Sequence, residues 1–372
     1  MKTRFSHLKF FEINSVNNPN SIHGIYPYRG KMSPFDADNI IAQIEGDIIL
    51  LDPFCGSGTV VYEAQKMGKK AIGIDNNPLA VALSKAKTSL KDEKDIKKEI
   101  EFTKEIINKA KKDLELKKFN EMPESPRCSF HEDTADEIMT IKNYFNEMSD
   151  YLKGAYFGAI ALAARGCNDY KWTSSTVGKN IEPKRYINFY EKFLQKVKKH
   201  IKFLNDRSHE ESKILEGDSR KLDGLIPDKL IDVVFCSPPY FDALDYTAYY
   251  GKLIYEIHKM DRLKIKKDLI QTASSYEEDM RQTLKEINRI TKDDSLIIFI
   301  VGDRKRGKTI TNGGDFFSKI WEPSYILERS YKGSSSQVFD KLNKTQRKEQ
   351  IVVWEKVNGE VVKYGKEFQT NQ

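Results

Sequence analysis

The apolar run Ile48 to Leu51 ends in DPFCGSGT, continues into VVYEAQKMGKK and gives way to a second apolar run, AIGID, from Ala71 to Asp75. Short apolar runs bounded by turn residues read as buried strands, and the stretch between them carries helical spacing, so the parse is strand, glycine turn, helix, strand. That unit opens a doubly wound α/β sheet, in which parallel strands are joined by helical crossovers. The acidic residue that closes the second strand follows the glycines at roughly 20 residues, the spacing at which nucleotide-binding folds put a carboxylate on a ribose. A chain of 372 residues can bury a sizeable core without disulfides or metals.

Three later segments extend the sheet: SKILEGD (Ser212 to Asp218), IDVVFCSPPY (Ile231 to Tyr240) and SLIIFIVGD (Ser295 to Asp303). Two last runs, SYILERSY and EQIVVWEKV, are placed to form an antiparallel edge pair. From about Leu83 to Arg207 the pattern changes to a helical insertion. It begins with KDEKDIKKEIEFTKEIINKAKKDLELKK, read as a solvated helical arm. The expected fold class is therefore α/β, a Rossmann-like doubly wound sheet, mostly parallel with an antiparallel edge hairpin, plus a helical insertion. The boundaries are 1–83 for the first part of the sheet domain, 84–207 for the insertion and 208–372 for the second part.

Each strand end carries a polar group aimed at a ligand. In Asp52 to Thr59 two glycines stand where strand becomes helix, letting backbone N–H groups approach a ligand. The run is neither the dinucleotide GxGxxG nor a P-loop. A carboxylate just before the glycines suits a ligand with an ammonium group, such as the methionine portion of S-adenosylmethionine. Asp75 is placed for a ribose diol, and Asp218, with Ser219 beside it, for an adenine amino group.

Ser237-Pro238-Pro239-Tyr240 follows an apolar strand, and its two prolines fix the chain so that carbonyls and the preceding side chain face a substrate. Accepting both N–H bonds of an exocyclic amino group at a side-chain oxygen and a carbonyl turns its lone pair toward a methyl donor. Tyr240 would stack on a base rotated out of the duplex. Cys236 is not expected to act as a nucleophile, since it lies within the apolar strand.

The net charge of +7 is compatible with a polyanionic partner. Cys55, Cys128, Cys167 and Cys236 are scattered, without paired metal-ligand spacing, so no metal is expected. No signal peptide or membrane span is evident, and the expected location is the cytoplasm.

With these motifs the chain resembles the amino-methylating DNA methyltransferases of bacterial and archaeal modification systems. DPFCGSG at 52–58 resembles their cofactor loop, GIDNNP at 73–78 their ribose-binding strand end, GDSR at 217–220 their adenine-binding strand end and SPPY their catalytic motif. HGIYPYRGKMSP at 23–34 is similar to the segment that walls the methionine site. The resemblance implies S-adenosyl-L-methionine as cofactor, held by Tyr26, Tyr28, Lys31, Asp52, Pro53, Phe54, Cys55, Gly56, Ser57, Gly58, Thr59, Asp75, Asn76, Asp218 and Ser219.

It implies Ser237, Pro238, Pro239 and Tyr240 as the catalytic set and double-stranded DNA with a flipped target base as partner, with a cognate restriction endonuclease to look for. Serine at the head of the motif is typical of members acting on cytosine N4, while Asp or Asn is typical of adenine N6 enzymes. The placement of the cofactor loop before SPPY is not the commonest order among cytosine enzymes. An adenine N6 enzyme, an RNA base methyltransferase and an inactive DNA-binding subunit stand as alternatives. Target recognition falls to the insertion, where Ala164 to Tyr186 offers Arg165, Lys171, Trp172, Lys179 and Arg185 to DNA. Arg304 and Lys305, with Arg306 and Lys308 behind them, follow a strand end as phosphate contacts.

Overall fold

The computed structural model describes residues 4–5, 21–28, 32–89, 92–171, 182–183, 185–205, 212–239, 245–306, 309–329 and 349–364. Ten strands are formed among these: β1 (Ile49–Asp52), β2 (Lys70–Asp75), β3 (Ser212–Glu216), β4 (Ile231–Cys236), β5 (Thr291–Gly302), β6 (Arg304–Arg306), β7 (Thr309–Thr311), β8 (Tyr325–Arg329), β9 (Glu349–Val357) and β10 (Glu360–Val361). The helices of the sheet domain are α1 (Pro34–Ala42), α2 (Thr59–Lys66) and α3 (Pro78–Thr88). The inserted ones are α4 (Glu93–Glu115), α5 (Glu124–Arg127), α6 (Glu132–Lys142), α7 (Asp150–Cys167) and α8 (Phe189–Ile201). After β4 come α9 (Lys252–Ile257), α10 (Arg262–Asp268), α11 (Tyr276–Ile290) and α12 (Gly313–Ile320).

The main sheet runs β3-β2-β1-β4-β5-β9, with β8 and β10 both pairing with β9 on its far side. β3 through β5 are parallel in that order, and β9 is antiparallel to β5. The order reverses at β1, which lies between β2 and β4, and this is the switch point at which open α/β sheets bind ligands. The last two runs do pair antiparallel, but β9 is an interior strand. Its all-apolar centre, Ile351 to Trp354, is fully shielded between β5 and β8.

Alternation along the strands sends neighbouring side chains to opposite faces. Leu50, Val233, Phe235, Ile298 and Val353 pack on one face with Ile40, Ile41, Val60 and Val61 of α1 and α2. Leu51, Ile74, Val234, Phe299 and Trp354 pack on the other with Met280, Leu284 and Ile287 of α11 and Phe317 of α12.

The inserted helices build a third core, with Ile106, Ile138, Tyr156, Phe189 and Phe193 buried together against Leu79 and Leu83 of α3. Helix α4 is no free arm. Glu99, Thr103, Ile106, Ile107 and Ala110 form a buried stripe along it at helical spacing, only partly apolar in the sequence. Close seating of α7 needs two glycines: a Cβ on Gly154 would lie 2.4 Å from Ala86 Cβ, and one on Gly158 1.8 Å from Ile25 O. A second departure from the sequence reading follows β5, where β6 and β7 form a short antiparallel hairpin from Arg304 to Thr311.

Candidate active site

The glycine loop leaves β1 at Asp52 and enters α2 at Thr59. Gly58 caps the helix in the left-handed region at φ 74°, and a Cβ there would stand 2.9 Å from Ser84 Cα, so only glycine fits. Gly56 is also left-handed, at φ 50°. The loop is tied at every turn. Cys55 N donates to Ile74 O at 2.9 Å, Gly56 N to Asp75 Oδ2 at 2.9 Å, and Ser84 Oγ to Gly56 O at 2.9 Å. The face of Gly56 turned to Tyr28 is open, the nearest ring atom lying 3.6 Å from a built Cβ.

Asp52 is 3% exposed and, among the described residues, no cation pairs with it; its Oδ1 accepts Phe54 N at 3.1 Å. Burial pushes its carboxyl up to about 8, the Phe54 N–H pulls down and the Asp75 charge adds to the rise. A desolvated carboxylate without a counter-ion is a receptor for a cation. The Thr59 hydroxyl is 3% exposed and has no hydrogen-bond partner among the described residues, a second unmet group in the same loop. Both are groups left for a ligand to satisfy.

Asp75 does not cap α3; Asn77 does, accepting Leu79 N at 3.0 Å. The Asp75 carboxyl instead accepts Gly56 N and Asn77 N, and burial lifts it to about 6 against those bonds. Asn76 donates to Asp268 O at 2.8 Å. Asp218 sits at the next strand end, but Arg220 grips it with Nε at 2.9 Å and Nη2 at 2.6 Å and also meets Asp279 at 2.8 Å. Burial pushes Asp218 up and the Arg220 bonds outweigh it, holding the carboxyl below its usual range. Ser219 Oγ donates to Pro53 O, joining the third strand end to the glycine loop.

Ser237 follows β4 directly, and β4 is the parallel neighbour of β1 with Val234 opposite Leu51. The serine therefore leaves the sheet beside the glycine loop. Pro238 is buried, and Pro239 O accepts the hydroxyl of Tyr276 at 2.6 Å, which pins the diproline turn to the start of α11. A pocket opens beyond β4 and β5, lined by Pro238, Tyr276, Gly302, Asp303, Asn312 and Phe316 among others. Cys236 is fully buried, and burial together with the Asp52 charge pushes its thiol well above the usual range, so no thiolate is on offer.

Tyr26 is buried in the core of the insertion near Tyr255, while Tyr28 faces the loop. Lys31 and Tyr240 lie outside the described residues, as do Trp172 and Lys179. Arg165 and Arg185 come together on Tyr170: Arg165 Nε donates to its carbonyl at 2.8 Å, and Arg185 Nη1 to its hydroxyl at 3.0 Å with the guanidinium 5.5 Å from the ring centre. Tyr170 is 59% exposed, and Lys171 beside it is exposed too. Arg304 and Lys305 lie on β6, at the far end of β5 from the helix that precedes it.

A model of the DNA methylase family, the N6 and N4 amino-methyltransferases, matches residues 40–86 and 231–370. The chain belongs to that family. S-adenosylmethionine is accordingly its methyl donor, and DNA the substrate class. The stretch between the two matched segments, 87–230, contains all five inserted helices and β3.

Type II methyltransferase M.MjaII of Methanocaldococcus jannaschii is similar at 24% identity over 87% of this chain and 78% of its own. Type II methyltransferase M.MvaI of Kocuria varians is similar at 27% over 63% of this chain, which spans little more than half of it, 56%. Among solved structures, TrmN from Thermus thermophilus aligns with TM-score 0.37 and 10% identity over 90% of this chain and 52% of its own. An S-adenosylmethionine-dependent methyltransferase from Methanosarcina mazei aligns with TM-score 0.35 and 8% identity over 85% and 95%. The strand order, and not likeness at these scores, defines the fold. No helix among the described residues is long and apolar enough to cross a membrane.

Sequence reasoning missed Ser84, Arg220, Tyr255 and Tyr276. Tyr255 donates to Asn77 Oδ1 at 2.6 Å across 178 positions. Such partners meet only through the fold, so no local spacing announces them. Arg220 alone had a signal, standing two residues after an aspartate it can grip.

Proposed function

We propose that the protein methylates the N4 amino group of cytosine in double-stranded DNA, as the modification enzyme of a restriction-modification system. What carries the reading is Ser237, a serine at the head of the catalytic turn, beside the loop that receives the methyl donor. Its hydroxyl oxygen and the Pro238 carbonyl accept hydrogen bonds from the two amino N–H groups and turn the nitrogen lone pair toward the methyl group. S-adenosylmethionine supplies that methyl group. The pocket between Pro238 and Phe316 is a candidate seat for the flipped base, which Tyr240 would stack upon. The modification role draws on the Type II methyltransferase names of the similar proteins.

The insertion, 84–207, reads the target in this account. Arg165 and Arg185, joined through Tyr170, and Lys171 flank the segment that meets DNA, with Arg304 and Lys305 on phosphates. The second reading, adenine N6, is favoured by one observation: the cofactor loop at 52–58 precedes SPPY at 237–240.

The test is tritiated methyl transfer from S-adenosylmethionine to unmethylated genomic DNA and, in parallel, to total RNA. Label in DNA is expected, and Ser237→Ala should lower kcat by on the order of 10²-fold with cofactor binding intact. Label in RNA alone overturns the reading.

A further inference from the structure

Behind the glycine loop runs a chain of buried polar side chains that the site described so far does not use. Lys87 stands one turn beyond Ser84 on the same face of α3 and is 1% exposed. Its ammonium donates to Ser57 Oγ at 3.0 Å and lies 3.4 Å from His23 Nδ1. His23, 2% exposed, meets Glu63 Oε1 through Nε2 at 2.8 Å. A neutral imidazole that accepts at Nδ1 and donates at Nε2 satisfies both neighbours. Glu63, on α2 and 4% exposed, reaches the surface through Lys66 Nζ at 3.2 Å. The His23 ring is fixed edge-on to Tyr62, with centroids 5.0 Å apart.

Stability alone does not account for this arrangement. Taking an ammonium out of water costs several kcal/mol, and an apolar side chain of similar volume often serves a core as well or better. The chain instead ends on the loop. Gly56 N is held by Asp75, Gly56 O by Ser84 and the Ser57 side chain by Lys87, so α3 and β2 together fix successive peptides of the turn.

We propose that Lys87, oriented by the His23–Glu63 pair, is a positioning residue for cofactor binding. It holds Ser57, and with it the peptides from Gly56 to Gly58, in the conformation that receives the methionyl end of S-adenosylmethionine. The proposal rests on the methyl-donor site and is independent of which base is modified.

The test is calorimetric binding of S-adenosylmethionine to the DNA-free full chain, with steady-state kinetics alongside. Lys87→Met should raise Kd and KM for the cofactor tenfold or more, while kcat at saturating cofactor falls by much less than KM rises. His23→Gln and Glu63→Gln, which release the lysine from its orienting partners, should raise Kd about threefold. Binding of 5′-methylthioadenosine, which lacks the methionyl carboxylate and ammonium, should change less than twofold. An unchanged Kd in folded Lys87→Met overturns the proposal, as does equal weakening of both ligands, which marks general loosening. Where Lys87→Met does not fold, an unchanged Kd in both neighbouring variants overturns it. Failure of the wild-type chain to bind S-adenosylmethionine at all strikes the cofactor assignment and is read separately.

Discussion

Replacing Asp52 by Asn should move stability and cofactor binding in opposite directions. The carboxyl is pushed from 3.8 to about 8 by burial in the free protein. An acid whose folded pKa is raised holds a proton that the unfolded chain gives up, so stability is full below the unfolded value and is lost as pH rises toward the folded one. At pH 7 the accumulated loss is about 4 kcal/mol, an upper limit because a buried site relaxes on ionisation. Asn keeps the shape and the acceptor for Phe54 N but removes the titration. Urea unfolding of the free protein should therefore show the wild type losing more stability from pH 4 to 8 than Asp52→Asn, which keeps the raised Asp75, the variant being the more stable at pH 7.

Binding runs the other way. An ammonium against Asp52 drives the proton off, so at pH 6.5 the wild type should release close to one proton per cofactor bound, read from calorimetry in buffers of different ionisation enthalpy. Asp52→Asn should release about one proton fewer and bind roughly 10- to 100-fold more weakly, the range for a lost charge-assisted hydrogen bond. A stability difference between wild type and Asp52→Asn that does not change between pH 5 and 8, or cofactor binding without proton release, would refute the role given to Asp52.

Three further outcomes follow from the geometry. Gly58→Ala forces a Cβ to 2.9 Å from Ser84 Cα in the left-handed region, so it should cost more than about 2 kcal/mol in denaturant unfolding and weaken cofactor binding with it. Tyr276→Phe removes the hydroxyl that donates to Pro239 O at 2.6 Å; thermal or urea unfolding should register about 1–2 kcal/mol, and kcat should fall with the loosened catalytic turn while cofactor Kd holds. Arg185→Ala should weaken DNA binding and reduce the slope of log affinity against log salt by about one, measured by fluorescence anisotropy, with cofactor affinity unchanged.

The sheet and the strand-end motifs were legible because their signals are local. Runs such as Val233 to Cys236 are apolar throughout, as strands covered on both faces must be, and Asp52, Asp75 and Asp218 stand where such strands end. The α4 stripe was not legible, since Glu99 and Thr103 bury polar side chains at positions where an apolar residue would have announced the face. The β6–β7 hairpin has no apolar alternation in Arg-Lys-Arg, and its cations read as loop. At the site, the sequence marked which residues stand at the strand ends but not what holds them. Tyr276 on Pro239 and Lys87 under Ser57 are long-range pairings that only packing creates, and Arg220, two residues after Asp218, is the local exception.

The activity is tested most directly by mass spectrometry of nucleosides from unmethylated genomic DNA after incubation with the protein and S-adenosylmethionine. N4-methylcytosine is the predicted product; N6-methyladenine in its place would contradict the assignment of the base to Ser237, and no methylated nucleoside despite cofactor binding would contradict the enzyme reading itself.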